Sequence, residues 1–139
     1  MAENVLIIRL GALGDVANVM PAVHGLRRAL RDDTLTWVVE EGAAGLVQMN
    51  RDVDEVIVFP RRGLSRALAR PWLWPWMLYA AARFILSLRL RRFTRTLDFQ
   101  GNLKSGLIAW LTGCRWRAGL ARRHGREGNH LFQNVHVPL

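Results

Sequence analysis

Two apolar spacings alternate along the first sixty residues. "NVLIIRL" (4–10) is an unbroken aliphatic run, the pattern of a strand buried on both faces. In "NVMPAVHGLRRALRD" (18–32) the apolar positions Val19, Ala22, Val23, Leu26, Ala29 and Leu30 fall on one helical stripe. Pro21 fits best in a first helical turn, where its missing N–H does least harm, so Asn18 is the expected cap and Asp15 stays in the preceding loop. "TLTWVVE" (34–40) reads as a second strand, "AAGLVQMN" (43–50) as a short helix and "VDEVIVF" (53–59) as a third strand. The order β-α-β-α-β at short spacing predicts an α/β fold, a Rossmann-like, doubly wound and mainly parallel sheet.

The pattern then changes. "PRRGLSRALARPWLWPW" (60–76) is basic and tryptophan-rich, and Pro71 and Pro75 break any long helix. "MLYAAARFILSLRLRRF" (77–93) resumes a helical spacing, and "TRTLDFQ" (94–100) is a fourth strand. Gly101 and Asn102 turn the chain into the helix "LKSGLIAWLTG" (103–113), with Leu103, Leu107, Trp110 and Leu111 on its expected buried stripe and Gly113 as C-terminal cap. The last 25 residues predict a strand or two.

In open α/β sheets ligands bind beyond the carboxyl ends of the strands. The residues there are Gly11 to Asp15, Glu40 and Glu41, Arg61 and Arg62, and Gln100 to Ser105. "RLGALGD" (9–15) resembles a dinucleotide loop only in part. Arg9 holds the position of the first fingerprint glycine, and Asp15 would repel a pyrophosphate. Glu40, as a ribose ligand, is the one feature favouring an oxidoreductase domain. From spacing alone Asp15 has two readings: a carboxylate stabilising a helix N-terminus, or a general base at a strand's carboxyl end, with Arg9 and nearby N–H groups as its partners.

Charge narrows the partners. The 139 residues carry 20 basic against 11 acidic side chains, a net charge of +9, and Lys104 is the only lysine. Such a surface attracts anions: phosphorylated sugars, acidic lipid headgroups or nucleic acid. Familiar nucleic-acid motifs are missing and the arginines follow strand ends rather than one helix face, so no nucleic-acid partner is expected. The single cysteine, Cys114, allows no internal disulfide and reads as a small buried hydrophobe in a reducing compartment. The N-terminal residues lack a signal-peptide pattern, and the run from Trp72 to Ala82 is too short to span a bilayer. No metal-ligand cluster is visible.

Several blocks, taken together and in order, resemble glycosyltransferase family 9: "VLIIRLGALGDV" (5–16) with Pro21 and Ala22, "WVVEEG" (37–42), "LDFQGNLKSGLIAWLTG" (97–113) and "GREGNHLFQN" (125–134). The resemblance implies the N-terminal half of a two-domain enzyme of GT-B type, with residues 1–139 as its acceptor-binding Rossmann-like domain. It further implies transfer of heptose from ADP-heptose, with inversion, to the Kdo-lipid A inner core during lipopolysaccharide core biosynthesis. Asp15 becomes the catalytic base, and the loop Gly11, Ala12, Leu13 and Gly14 admits the substrates. Arg9, Arg61, Arg62, Arg66, Gln100, Lys104 and Arg126 become acceptor-binding, and no cofactor is implied. Arg9 stands where the family's heptosyltransferases often have lysine. For Lys104, a solvated place in a first helical turn is the simpler alternative.

The implied place is the cytoplasm, at the cytoplasmic face of the inner membrane of a Gram-negative bacterium. There Trp72, Trp74 and Trp76 either pack in a core or meet lipid headgroups. The second-domain parts that hold the donor have no counterpart in these 139 residues. A donor-binding domain is therefore an expected partner, in cis or in trans, and this chain alone is expected to bind acceptor weakly and transfer nothing. The alternative reading is a non-catalytic module for anionic glycolipid.

Overall fold

A computed structural model describes residues 3–11, 13–101, 103–120 and 135–137. Six strands form one sheet: β1 (Asn4–Ile8), β2 (Thr34–Glu40), β3 (Glu55–Phe59), β4 (Arg95–Asp98), β5 (Trp116–Leu120) and β6 (Val135–Val137). Their spatial order is β3-β2-β1-β4-β5-β6, and every pairing is parallel. Among the described residues the helices are α1 (Leu13–Ala29), α2 (Glu41–Gln48), α3 (Arg61–Leu68), α4 (Trp74–Leu90) and α5 (Leu103–Leu111), with a 3-10 turn at Pro71–Leu73. The Rossmann-like reading of the sequence holds.

Alternation along the central strand divides the core in two. Val5 and Ile7 point to a cluster with Trp37, Val39, the α1 residues Val16 and Val23, and the α2 residues Ala43, Ala44 and Val47. Leu6 and Ile8 point the other way, to Val38, Ile57, Leu88 of α4, and Ile108 and Ala109 of α5. Both faces of β1 are fully buried, which explains its unbroken apolar run. Cys114 is buried in the second cluster, as its sequence predicts.

Two helices depart from the expectation. Helix α1 starts at Leu13, so Asp15 lies in its first turn, Pro21 is inside the helix and Asn18 is an exposed helical residue rather than a cap. Interior proline costs about 3 kcal/mol. Extending the helix on the N-terminal side of Pro21 buries Val16 completely against the sheet, and that packing decides where it begins. In α5 the predicted stripe faces outward: Leu103, Leu107 and Trp110 are exposed and Leu111 is half-buried. Ser105, Gly106, Ile108 and Ala109 face the sheet instead. Small side chains let the helix approach closely, and Ser105 Oγ donates to the buried Asp98 carboxylate at 2.9 Å. Gly113 does end this helix region, at φ +76°.

The proline-broken segment also resolves. Pro71 opens the 3-10 turn and Pro75 lies in the first turn of α4, where its ring is tolerated. Trp72, Trp74 and Trp76 are all exposed, so the core-packing alternative for them does not hold. Trp76 lies against α3 at Gly63, where a Cβ would stand 2.6 Å from the indole ring.

Candidate functional site

The loop after β1 is fixed from both sides before any ligand is considered. Trp37 Nε1 donates to Arg9 O at 3.0 Å, Glu40 N donates to Leu10 O at 2.8 Å, and Leu10 N donates to Gln100 Oε1 at 3.2 Å. Strand β2 and the β4–α5 turn therefore set the path of residues 9 and 10. Arg9 is mostly buried, with 18% of its side chain exposed. Its Nη1 donates to Phe99 O at 2.8 Å, and its Nη2 stands 3.2 Å from Asp15 Oδ2. Asp15 itself is 55% exposed, at the positive end of α1. The sequence-based pairing of Arg9 with Asp15 is present, and the carboxylate remains open to solvent.

The sheet order reverses between β1 and β4, the usual ligand crevice of such folds. Here Arg9 and Gln100 bridge that crevice. The open cleft, about 550 Å³, lies to the other side, beyond the ends of β1, β2 and β3. Gly11, Leu13 and the β2–α2 turn form one wall, and Arg61, Arg62, Ser65 and Arg66 of α3 form the other. Asp15, Arg9, Gln100 and Lys104 do not line it.

Glu40 joins the two parts. Its Oε1 is 2.8 Å from Lys104 Nζ and its Oε2 is 3.2 Å from Arg61 Nη1, with only 13% of its side chain exposed. Lys104 also lies over the Phe59 ring, 5.4 Å from its centroid. A Cβ at Gly11 would stand 3.2 Å from Glu40 Oε2, so this glycine leaves room for the carboxylate. Gly14 has no heavy atom within 4 Å of where its Cβ would be, so no neighbour requires a glycine there. On the far side, Glu41 Oε1 accepts from Arg62 N at 2.8 Å and fixes the start of α3.

Asp98 organises the remaining turn. Its Oδ1 accepts from Gln100 N at 2.9 Å and Gly101 N at 3.0 Å, and its Oδ2 accepts from Ser105 Oγ. Gly101, at φ +78°, closes the turn, and Gln100 and Lys104 then face β1 and β2.

The structure thus groups Arg9 with Asp15, Arg61 with Arg62 and Arg66, and Lys104 with Arg61 through Glu40. Ala12 and Arg126 lie outside the described residues. The sequence reading missed Glu40 as the shared counter-ion, having weighed it only as a ribose ligand, a role for which both oxygens are already engaged. It also missed Asp98, although an Asp two residues before a turn amide is a recognisable Asx-turn signal. No three His, Cys, Asp or Glu side chains gather as a metal site among the described residues.

A parallel sheet in the order 3-2-1-4-5-6, flanked by helices and with arginines and the exposed Asp15 near its carboxyl end, is a Rossmann-like α/β domain. The comparisons make this narrower. Lipopolysaccharide heptosyltransferase 1 of Pseudomonas aeruginosa is 35% identical over 128 residues, 89% of this chain and 34% of that protein. The structure of E. coli heptosyltransferase WaaC with ADP-2-deoxy-2-fluoro heptose superposes with a TM-score of 0.85 at 26% identity, covering 97% of this chain and 42% of the other. A glycosyl transferase family 9 structure from Veillonella parvula shares the fold, with a TM-score of 0.74 at 18% identity over 98% of this chain and 35% of its own. No family model matches. The chain spans about a third of the length of the curated relatives it matches. It resembles a part of the lipopolysaccharide heptosyltransferases.

Proposed function

We propose that this chain is the acceptor-binding and base-bearing part of an inverting glycosyltransferase. The reaction moves heptose from ADP-heptose to a Kdo-lipid A type inner core, at the cytoplasmic face of the inner membrane of a Gram-negative bacterium. The observation that carries the reading is an exposed carboxylate, Asp15, held by Arg9 in the first turn of α1, with a cleft walled by Arg61, Arg62 and Arg66 beyond the ends of β1, β2 and β3. Forked guanidinium groups suit the carboxylates and phosphates of such an acceptor.

In the proposed step Asp15 takes the proton of the acceptor hydroxyl as its oxygen attacks the anomeric carbon of the heptose. The bond from that carbon to the phosphate oxygen breaks on the opposite face, and ADP leaves with the bonding pair. Arg9 orients Asp15, while Glu40 holds Lys104 and Arg61 at the edge of the acceptor cleft. A donor-binding domain, in cis or in trans, supplies the second wall that positions the sugar nucleotide.

One observation favours a second reading. Asp15 does not line the arginine cleft, and its pairing with Arg9 at a helix N-terminus is a sufficient structural role. That is what a non-catalytic module for anionic glycolipid would show. An assay with radiolabelled ADP-heptose separates the two. The chain alone should transfer nothing, and the same chain joined to the donor-binding domain of a heptosyltransferase should glycosylate Kdo-lipid A. Failure of the joined protein to transfer, despite acceptor binding, would favour the module.

A further inference from the structure

One mostly buried carboxylate serves two cations, and the two are held unequally. Glu40 ends β2 with 13% of its side chain exposed. Lys104, in the first turn of α5, approaches its Oε1 at 2.8 Å and is packed over the Phe59 ring. Arg61, the first residue of α3, reaches its Oε2 at 3.2 Å with 64% of its own side chain in solvent. Glu40 also meets the loop after β1. Its N–H donates to Leu10 O at 2.8 Å, and Oε2 stands 3.2 Å from where a Gly11 Cβ would be. Leu10 N in turn donates to Gln100 Oε1, in the turn that leads into Lys104. Residues 10 and 11 are therefore clamped between β2 and the β4–α5 turn, and the Glu40–Lys104 pair ties the two sides together. Across the cleft, the Arg62 and Arg66 side chains have no ion-pair partner among the described residues.

We infer that Glu40 is a positioning residue that couples anion binding in the arginine cleft to the setting of the base-bearing loop. An anion that engages Arg62 or Arg66 competes with Glu40 for Arg61, whose pair is the longer and more exposed of the two. When Arg61 moves to the anion, Lys104 still balances the Glu40 charge, so the exchange leaves no buried carboxylate unpaired. The carboxylate then belongs to Lys104 alone, and the clamp tightens on residues 10 and 11. Arg9 and Asp15 flank those residues, so an occupied cleft holds the base more firmly than an empty one. In the empty cleft Glu40 is an internal competitor. It withholds Arg61 part of the time, and the apparent affinity for an anion falls by the fraction withheld. The inference rests on reading residues 9–15 as the base-bearing loop and α3 as the wall that meets the acceptor.

Titration of the isotope-labelled chain with inorganic pyrophosphate tests it, read by the arginine side-chain signals and by amide exchange at Leu10. In the parent, pyrophosphate should shift the Arg61 and Arg62 Nε–H signals and slow exchange at Leu10 about threefold. Glu40→Gln removes the competitor. Its affinity for pyrophosphate should rise about fivefold, the upper range of an exposed ion pair, while exchange at Leu10 no longer responds. A Glu40 with only a structural role would loosen the loop without raising the affinity. Arg61→Gln is the complementary variant, at an exposed position where little packing is lost. It should slow exchange at Leu10 before any pyrophosphate is added, and pyrophosphate should slow it no further. Three outcomes would overturn the inference: an Arg61 signal that pyrophosphate leaves unmoved, a Glu40→Gln variant that binds no more tightly, or a Leu10 response that is the same in parent and variants. Pyrophosphate is neither donor nor acceptor, so such a result leaves the transfer reaction untouched. Failure of transfer in the joined protein would equally leave this exchange standing.

Discussion

Asp15→Ala, placed in this chain joined to a donor-binding domain, should lower heptose transfer by about 10²–10⁴-fold, the range a positioned general base contributes. Acceptor affinity should change little. The structural part of Asp15 is small. An acidic residue at a helix N-terminus contributes about 0.3–1 kcal/mol and an exposed ion pair about 0–1 kcal/mol. With Asp15 half-exposed and Val16 still buried beside it, the variant remains folded. Asp15→Asn is the sharper form, since it retains the shape and removes the basic oxygen. Initial rates together with acceptor titration measure both quantities. Turnover within about fivefold of the parent would leave Asp15 as a helix-terminus charge and remove it from the chemistry.

The largest effect on stability should come from Asp98→Ala. The carboxylate is almost wholly buried and serves Gln100 N, Gly101 N and Ser105 Oγ at 2.9–3.0 Å. A buried donor left without its acceptor costs about 1–3 kcal/mol; Gly101 N and Ser105 Oγ are buried and Gln100 N is partly so. Allowing for water that enters the space, a loss of about 3–5 kcal/mol is expected. Folded domains of this kind have roughly 5–15 kcal/mol in total, so urea unfolding should move far to lower concentration. The loss should also release Gln100 from Leu10 N, with faster amide exchange at Leu10. A destabilisation below about 1 kcal/mol would mean that the turn holds its shape without the carboxylate.

Strands were the most legible part of this chain because burial leaves them little choice. β1 is covered on both faces from Val5 to Ile8, and those four positions are all aliphatic. Helix α1 was misread because a local rule, proline in the first turn, gave way to the burial of Val16. In α5 the leucines and Trp110 drew the predicted stripe, whereas a buried polar contact from Ser105 to Asp98 turned that side inward. The candidate site follows the same division. The positions of residues at strand ends were legible because the order of strands and helices dictates which loops gather at the sheet's carboxyl end. Glu40 as a shared partner of Lys104 and Arg61 was hidden, since it joins side chains 64 and 21 positions apart. No spacing rule reaches that far. The exposure of Trp72, Trp74 and Trp76 likewise had to come from the fold, as composition suits core and surface equally.

The measurement that tests the central claim most directly is amide chemical-shift mapping of the isotope-labelled chain against the deacylated Kdo-lipid A headgroup. Binding in the arginine cleft predicts the largest shifts at Gly11, Gly42, Arg61, Arg62 and Ser65, and their loss in the double variant Arg61→Ala, Arg62→Ala. Shifts confined to the opposite groove around Met20, His24 and Asp52, or none at millimolar headgroup, would contradict the assignment of this cleft to the acceptor.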